Sequence, residues 1–273
     1  MERMRRIETW ARLGFAARGL VYLLLGLIAL FGGKALSTGE TVQAVEDLPG
    51  GAPLLVALAI GLFGYGLYKI YSSLLDLDRR GDDAKAWILR GAHILGGLAY
   101  WGLSLIAVKQ LLTDGSRGGE AGRSSGSGGA RQDAANQVAE AAGGDLLLAA
   151  IGLAVLALAL VQLAIAWNAK FMDEMPGAPA LVKPAGQIGY AARALVIAMV
   201  GYFIVQAGLD GERLRSFGDA LAMLRDGQAT LFKLVAGGLI LFGLVSLVMA
   251  KYRRVADDDV VERVKDNVPP GSA

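Results

Sequence analysis

Cysteine is absent from this chain, and histidine occurs once, as His93. These two gaps exclude disulfides, thiolate nucleophiles and the common Cys/His zinc sites. Charge is scarce as well. Asp, Glu, Lys and Arg make up 19% of the 273 residues, where a soluble domain carries about 25%. The two signs nearly cancel, leaving a net charge of +2, so bulk electrostatics favours no nucleic-acid partner. Segments that carry catalysis are missing: there is no G-x-S-x-G, H-E-x-x-H or Walker A stretch. Gly-rich runs such as "GLAYWG" at 97–102 lie inside apolar segments and so cannot serve as phosphate-cradling loops. These absences lead us to expect no metal site, no cofactor, no nucleic-acid binding and no enzymatic activity.

What the chain does have is apolar length. Hydrophobic residues make up 54% and the mean hydropathy is +0.46. The excess is concentrated in six blocks, 13–31, 53–75, 91–112, 145–166, 188–209 and 230–250. Each is close to the length of about 20 residues that a helix needs to cross a bilayer. Backbone in hydrocarbon must satisfy its own hydrogen bonds, so these blocks are expected to be helices, and the fold all-α. The short alternating runs of a transmembrane β-barrel are absent. Arg3, Arg5 and Arg6 precede the first block as they would in a signal peptide, but no small-x-small cleavage site follows cleanly. The block is therefore read as a retained helix.

Loop charge sets an orientation. Segments 1–12, 76–90, 167–187 and 251–273 together hold fifteen Lys and Arg, and the alternate loops hold seven. The positive-inside rule then places both termini in the cytoplasm, which implies a multi-pass protein of a bacterial inner membrane.

The blocks are self-similar. "ARLGFAARGLVYLLLGLIAL" (11–30) aligns without gaps with "GQIGYAARALVIAMVGYFIV" (186–205), and more weakly with "LRGAHILGGLAYWGLSLIAV" (89–108). The helices that follow align through "GLYKIYSS" (66–73), "ALVQLAIA" (159–166) and "GLVSLVMA" (243–250). Polar stretches precede the first and third of these, in "TVQAVEDLPGGAPLL" and "DALAMLRDGQATLF". The pattern predicts a six-helix bundle of three two-helix repeats, 1–80, 81–175 and 176–254, followed by a tail at 255–273. A unit with two spans returns to its starting side, so the copies are expected to be parallel about the membrane normal. The Gly/Ser-rich stretch 115–130 is expected to be a disordered outer loop.

Arg18, Gly19, Tyr22 and Gly26 form an "R-G-x-x-Y-x-x-x-G" pattern, while Gly243, Leu244, Leu247, Ala250, Tyr252 and Arg253 form "G-L-x-x-L-x-x-A-x-Y-R". This resembles a family of bacterial membrane proteins of unknown function with three tandem two-helix units. The middle copy departs from the pattern: Gly96 stands in place of the arginine and Ser104 in place of Gly26. The resemblance implies architecture and supplies no activity.

Six polar residues fall in the expected cytoplasmic third: Arg18, Lys69, His93, Gln162, Arg193 and Ser246. Arg18 and Arg193 sit about five residues inside the edges of their apolar blocks, roughly 8 Å deep by helix rise. Two readings are open for them. Either their long stems snorkel to the headgroups, or they face inward and bind something anionic. In the second case Asp76, Asp78 or an anionic lipid headgroup is the natural partner. Lys69 lies seven residues before Asp76 on one helix face. His93 is either an interfacial ring or a proton relay. Small residues such as Gly61, Gly64, Gly96, Gly97, Gly237 and Gly238 read as close helix packing, or as a seam along which helices slide. If the six polar residues face inward, they line one vestibule open to the cytosol.

Two functions follow. The leading expectation is a non-enzymatic scaffold or accessory protein, with the bilayer and an oligomeric or protein partner as its surroundings. The alternative is a small-solute or ion transporter or channel using the vestibule. The outer halves of the blocks are almost wholly apolar, so no polar path through the membrane is visible.

Overall fold

The computed structural model describes residues 2–46, 50–74, 84–113, 144–210, 215 and 217–252. Among these the fold is all-α, with eight α-helices. They are α1 (Glu2–Gly32), α2 (Thr38–Ala44), α3 (Gly51–Leu74), α4 (Ala84–Thr113), α5 (Gly144–Asn168), α6 (Val182–Asp210), α7 (Phe217–Gly227) and α8 (Ala229–Tyr252). A 3₁₀ turn at Lys170–Met172 lies between α5 and α6. Five helices (α1, α3, α5, α6 and α8) are long and apolar enough to cross a membrane. The expected loop 115–130, the tail 255–273, and Asp76 and Asp78 lie outside the described residues.

Apart from residue 75, which lies outside the described residues, the six apolar blocks fall within long helices, and α1, α4 and α6 begin well before their blocks. Hydropathy marks where hydrocarbon-compatible side chains stop. The backbone ladder continues through Arg, Lys and Glu, which are good helix formers. In consequence Arg193 lies 11 residues from the start of α6, about 16 Å along the axis. The stops are local. Gly33 takes a left-handed φ of 61° just after α1, a conformation open to glycine at little cost. Pro53 and Pro184 stand in the first turns of α3 and α6, where the missing N–H has no helical acceptor in any case.

Two stretches read from sequence as merely polar are short helices. α2 opens on a capping box: Ser37 Oγ accepts from the Glu40 amide at 3.2 Å, and Glu40 Oε2 accepts from the Ser37 amide at 2.6 Å. α7 buries Ala220, Leu221 and Leu224, a helical spacing too short to register in a search for membrane-length runs. Gly218 of α7 packs against the Ser37–Glu40 cap, and Arg225 reaches the Gly33 carbonyl at 3.4 Å. The two short helices therefore meet at one end of the bundle.

The long helices pack side by side in the spatial order α4, α3, α1, α8, α6, α5. Small residues set the approach. A methyl on Gly19 would overlap the Gly243 carbonyl, and one on Gly97 the Gly66 carbonyl. Gly26 lies against Ala236, and Gly201 against Gly152. Ser104 Oγ donates to the Ala59 carbonyl at 2.8 Å between α4 and α3. With no water to expel between helices, such backbone proximity and dispersion hold the bundle. One apolar cluster joins α1, α8 and α6 through Phe15, Tyr22, Leu25, Val196, Leu239 and Phe242. A second joins α1 to α3 and α4. α5 packs chiefly on α6 and leaves Leu146, Leu153, Leu160 and Trp167 exposed. Such a surface suits hydrocarbon rather than water.

A buried arginine and aromatic centre

Arg18 is 7% exposed, and its guanidinium turns into the bundle, so snorkelling does not describe it. Nη1 donates to Tyr65 Oη at 2.6 Å from α3, and Nη2 donates to Ser246 Oγ at 3.0 Å and Met249 Sδ at 3.3 Å on α8. Its Cζ lies 5.0 Å from the Phe15 ring centroid, 5.2 Å from that of Tyr65 and 5.0 Å from that of Phe242. Phe15 precedes Arg18 by three residues, so one helix face presents both. Ser246 is fully buried and donates its own proton back to the Phe242 carbonyl at 2.8 Å.

Arg193 of α6 turns the same way. Its Nε donates to Tyr22 Oη on α1 at 3.1 Å, and its Cζ lies 5.6 Å from the Tyr22 centroid and 5.1 Å from that of Phe242. The two guanidiniums thus share the Phe242 ring. They can be no farther apart than the sum of their two distances to it. Tyr22 meets Phe242 edge-on at 4.8 Å, Tyr190 does so at 5.0 Å, and Tyr65 meets Tyr100 at 4.6 Å. The negative ring faces offset part of the cost of burying the cations.

Lys69 enters from α3, with Nζ 5.8 Å from the Tyr65 centroid. Its stem covers Gly96 of α4, the position that aligns with Arg18 and Arg193. Where the sequence loses an arginine, a lysine from the facing helix fills the place. Gln162, which aligns with Lys69 and Ser246, is on α5, and its Oε1 is buried without a hydrogen-bond partner. His93 is on α4, half-buried, one turn before Gly96. The contacts therefore link Arg18, Lys69, Arg193 and Ser246 through Tyr65, Phe242 and Tyr22. Gln162 and His93 stand on the flanking helices.

Sequence reasoning missed the aromatic members Phe15, Tyr65, Tyr100 and Phe242, together with Met249. A signal was available for two of them, because Tyr65 and Phe242 each immediately precede the aligned glycines Gly66 and Gly243. Among the described residues no carboxylate contacts either arginine. No group of three or more potential metal ligands occurs among them either.

A family model described as Domain of Unknown Function (DUF1206) matches residues 13–76, the segment that carries Arg18, Tyr22, Tyr65 and Lys69. The chain is 25% identical over 263 residues to a protein of Bacillus subtilis (strain 168) named "Uncharacterized protein YxxB"; the match covers 91% of this chain and 92% of that protein. No solved structure matches. The chain is thus similar, along most of its length, to a protein of unknown function, and its first two long helices match a family of unknown function.

Proposed function

We propose that the chain is a six-span, non-enzymatic protein of a bacterial inner membrane. In this reading it consists of three parallel two-helix repeats, with both termini in the cytoplasm, and it acts by binding a small solute or ion in the vestibule around Arg18, Lys69 and Arg193. One observation carries the reading: cations from α1, α3 and α6 gather around buried aromatic rings in the middle of a bundle fit for a membrane. Buried charge inside apolar helices is costly and marks function by default.

The repeat reading is supported by contacts that recur at aligned positions. Gly14 packs on the Tyr65 backbone and Gly189 on that of Phe242; Gly61 packs on Ala17 and Gly238 on Ala192. Between units, Gly243 with Gly19 corresponds to Gly66 with Gly97. Ala236 with Gly26 corresponds to Gly152 with Gly201 and to the Ala59–Ser104 hydrogen bond. In this scheme α4 is the sixth span, its 30 residues being long enough. The lysine that covers Gly96 then supplies a cation at the interface between the first and second units, while Arg18 and Arg193 supply theirs between the third and the first. A scaffold role keeps one favouring observation, the large outward apolar face of α5, which a protein partner could share with lipid.

The absence of native cysteine makes the test direct. Single cysteines replacing Lys34, Asp173 and Arg193 are labelled in intact cells and in inverted vesicles. We expect Lys34→Cys to react only from outside, and Asp173→Cys and Arg193→Cys only from the cytoplasmic side. An Arg193→Cys protein that reacts from neither side refutes the vestibule. Labelling of Asp173→Cys from outside refutes the orientation.

A further inference from the structure

Donors and acceptors at the centre do not balance. A guanidinium carries five N–H donors and no acceptor. Arg18 employs both Nη groups, but its Nε is buried and has no partner. One of its hydrogens is turned to the Met249 thioether, a weak acceptor for a charged donor. Arg193 employs only Nε, so both Nη groups, the planar fork that grips oxyanions in pairs, meet no acceptor among the described residues. Tyr22 Oη accepts from Arg193, and its own proton likewise has no described acceptor. Two cations therefore share one aromatic ring, with donors left over and no carboxylate in contact among the described residues.

From this surplus we infer that Arg193, with Tyr22 and Arg18, forms a binding site for a phosphate-type oxyanion. The inference rests on the vestibule reading above and names the ligand class for it. The donor set selects among anions. A halide offers no paired lone-pair geometry to a fork. A carboxylate has two oxygens, which one fork occupies. A tetrahedral phosphate group has enough oxygens to accept from the Arg193 fork while another oxygen meets Tyr22 or the Arg18 Nε–H. The same chemistry could arrive as free phosphate from the cytosol or as the headgroup of an anionic phospholipid.

The test uses the full-length protein in nanodiscs. In neutral phosphatidylcholine discs, inorganic phosphate is titrated against chloride at matched ionic strength, and the thermal midpoint is followed. In a second arm, discs containing phosphatidylglycerol are compared with neutral discs, and retained lipid is read by native mass spectrometry. A saturable rise with phosphate identifies a free anion; a rise and retained phosphatidylglycerol without a phosphate response identify the headgroup. Either outcome supports the site, provided Arg193→Lys weakens the response by about tenfold or more, since lysine keeps the charge but loses the fork. Tyr22→Phe should weaken it by a few-fold and serves as the second probe if Arg193→Lys does not fold. No response of the wild type beyond chloride in either arm overturns the proposal, and so does a wild-type response from a folded Arg193→Lys protein. If Arg193→Cys is nevertheless labelled from the cytoplasm, only the oxyanion falls; if it is labelled from neither side, the vestibule falls with it.

Discussion

Gly237 and Gly238 are neighbours in α8, yet the packing gives them opposite roles. A methyl on Gly238 would overlap the Cβ of Ala192 in α6, with the Ile188 carbonyl next at 3.4 Å, while a methyl on Gly237 has nothing within 4 Å. Both substitutions to Ala bring the same gain in helix propensity, so the difference between them isolates packing. Ala192 is a Cβ on a rigid backbone and cannot rotate away, so α6 and α8 must separate. Overpacking of this kind costs about 1–3 kcal/mol. Gly238→Ala should therefore be less stable than Gly237→Ala by about that amount. The contact also predicts its own cure. Adding Ala192→Gly removes the clashing carbon, and the Gly238→Ala/Ala192→Gly pair should recover most of the difference, a coupling of about 1–3 kcal/mol in a double-mutant cycle. The assay is reversible denaturation of the full-length protein in bicelles. Equal stabilities for Gly237→Ala and Gly238→Ala would refute the α6–α8 approach described above, as would additivity of Gly238→Ala with Ala192→Gly.

Two further outcomes follow from single contacts. Tyr65→Phe keeps the ring that Phe242 already provides at the aligned position, but removes the acceptor 2.6 Å from Arg18 Nη1. Leaving a buried charged donor without its partner should cost about 1–3 kcal/mol in the same assay, and an unchanged midpoint would contradict the bond. Ser37→Ala removes the capping oxygen of α2, which should cost about 1 kcal/mol. It should also raise hydrogen exchange in the α2 amides, and protection equal to wild type would show that the cap is not holding the helix.

The sequence alone was enough to identify long apolar helices, because hydrocarbon forces both side-chain polarity and backbone pairing within each segment, and both are local properties. It also marked Arg18 and Arg193 as unusual, since a charge in an apolar run is visible without coordinates. It could not say which way they point. An arginine stem near the end of an apolar block is long enough to snorkel, and only the approach of α3 and α8 at Tyr65 and Ser246 shows that Arg18 turns inward. The exchange of cations at Gly96 was hidden for the same reason: a lysine on one helix and a glycine on another compensate only when the two are packed together. The starts of α1, α4 and α6 and the two short helices α2 and α7 were obscured by their polarity, because hydropathy reports the surroundings of a side chain and not the hydrogen bonding of the backbone beneath it. Tertiary structure decided what periodicity cannot encode, namely which faces meet and which charges come to share a ring.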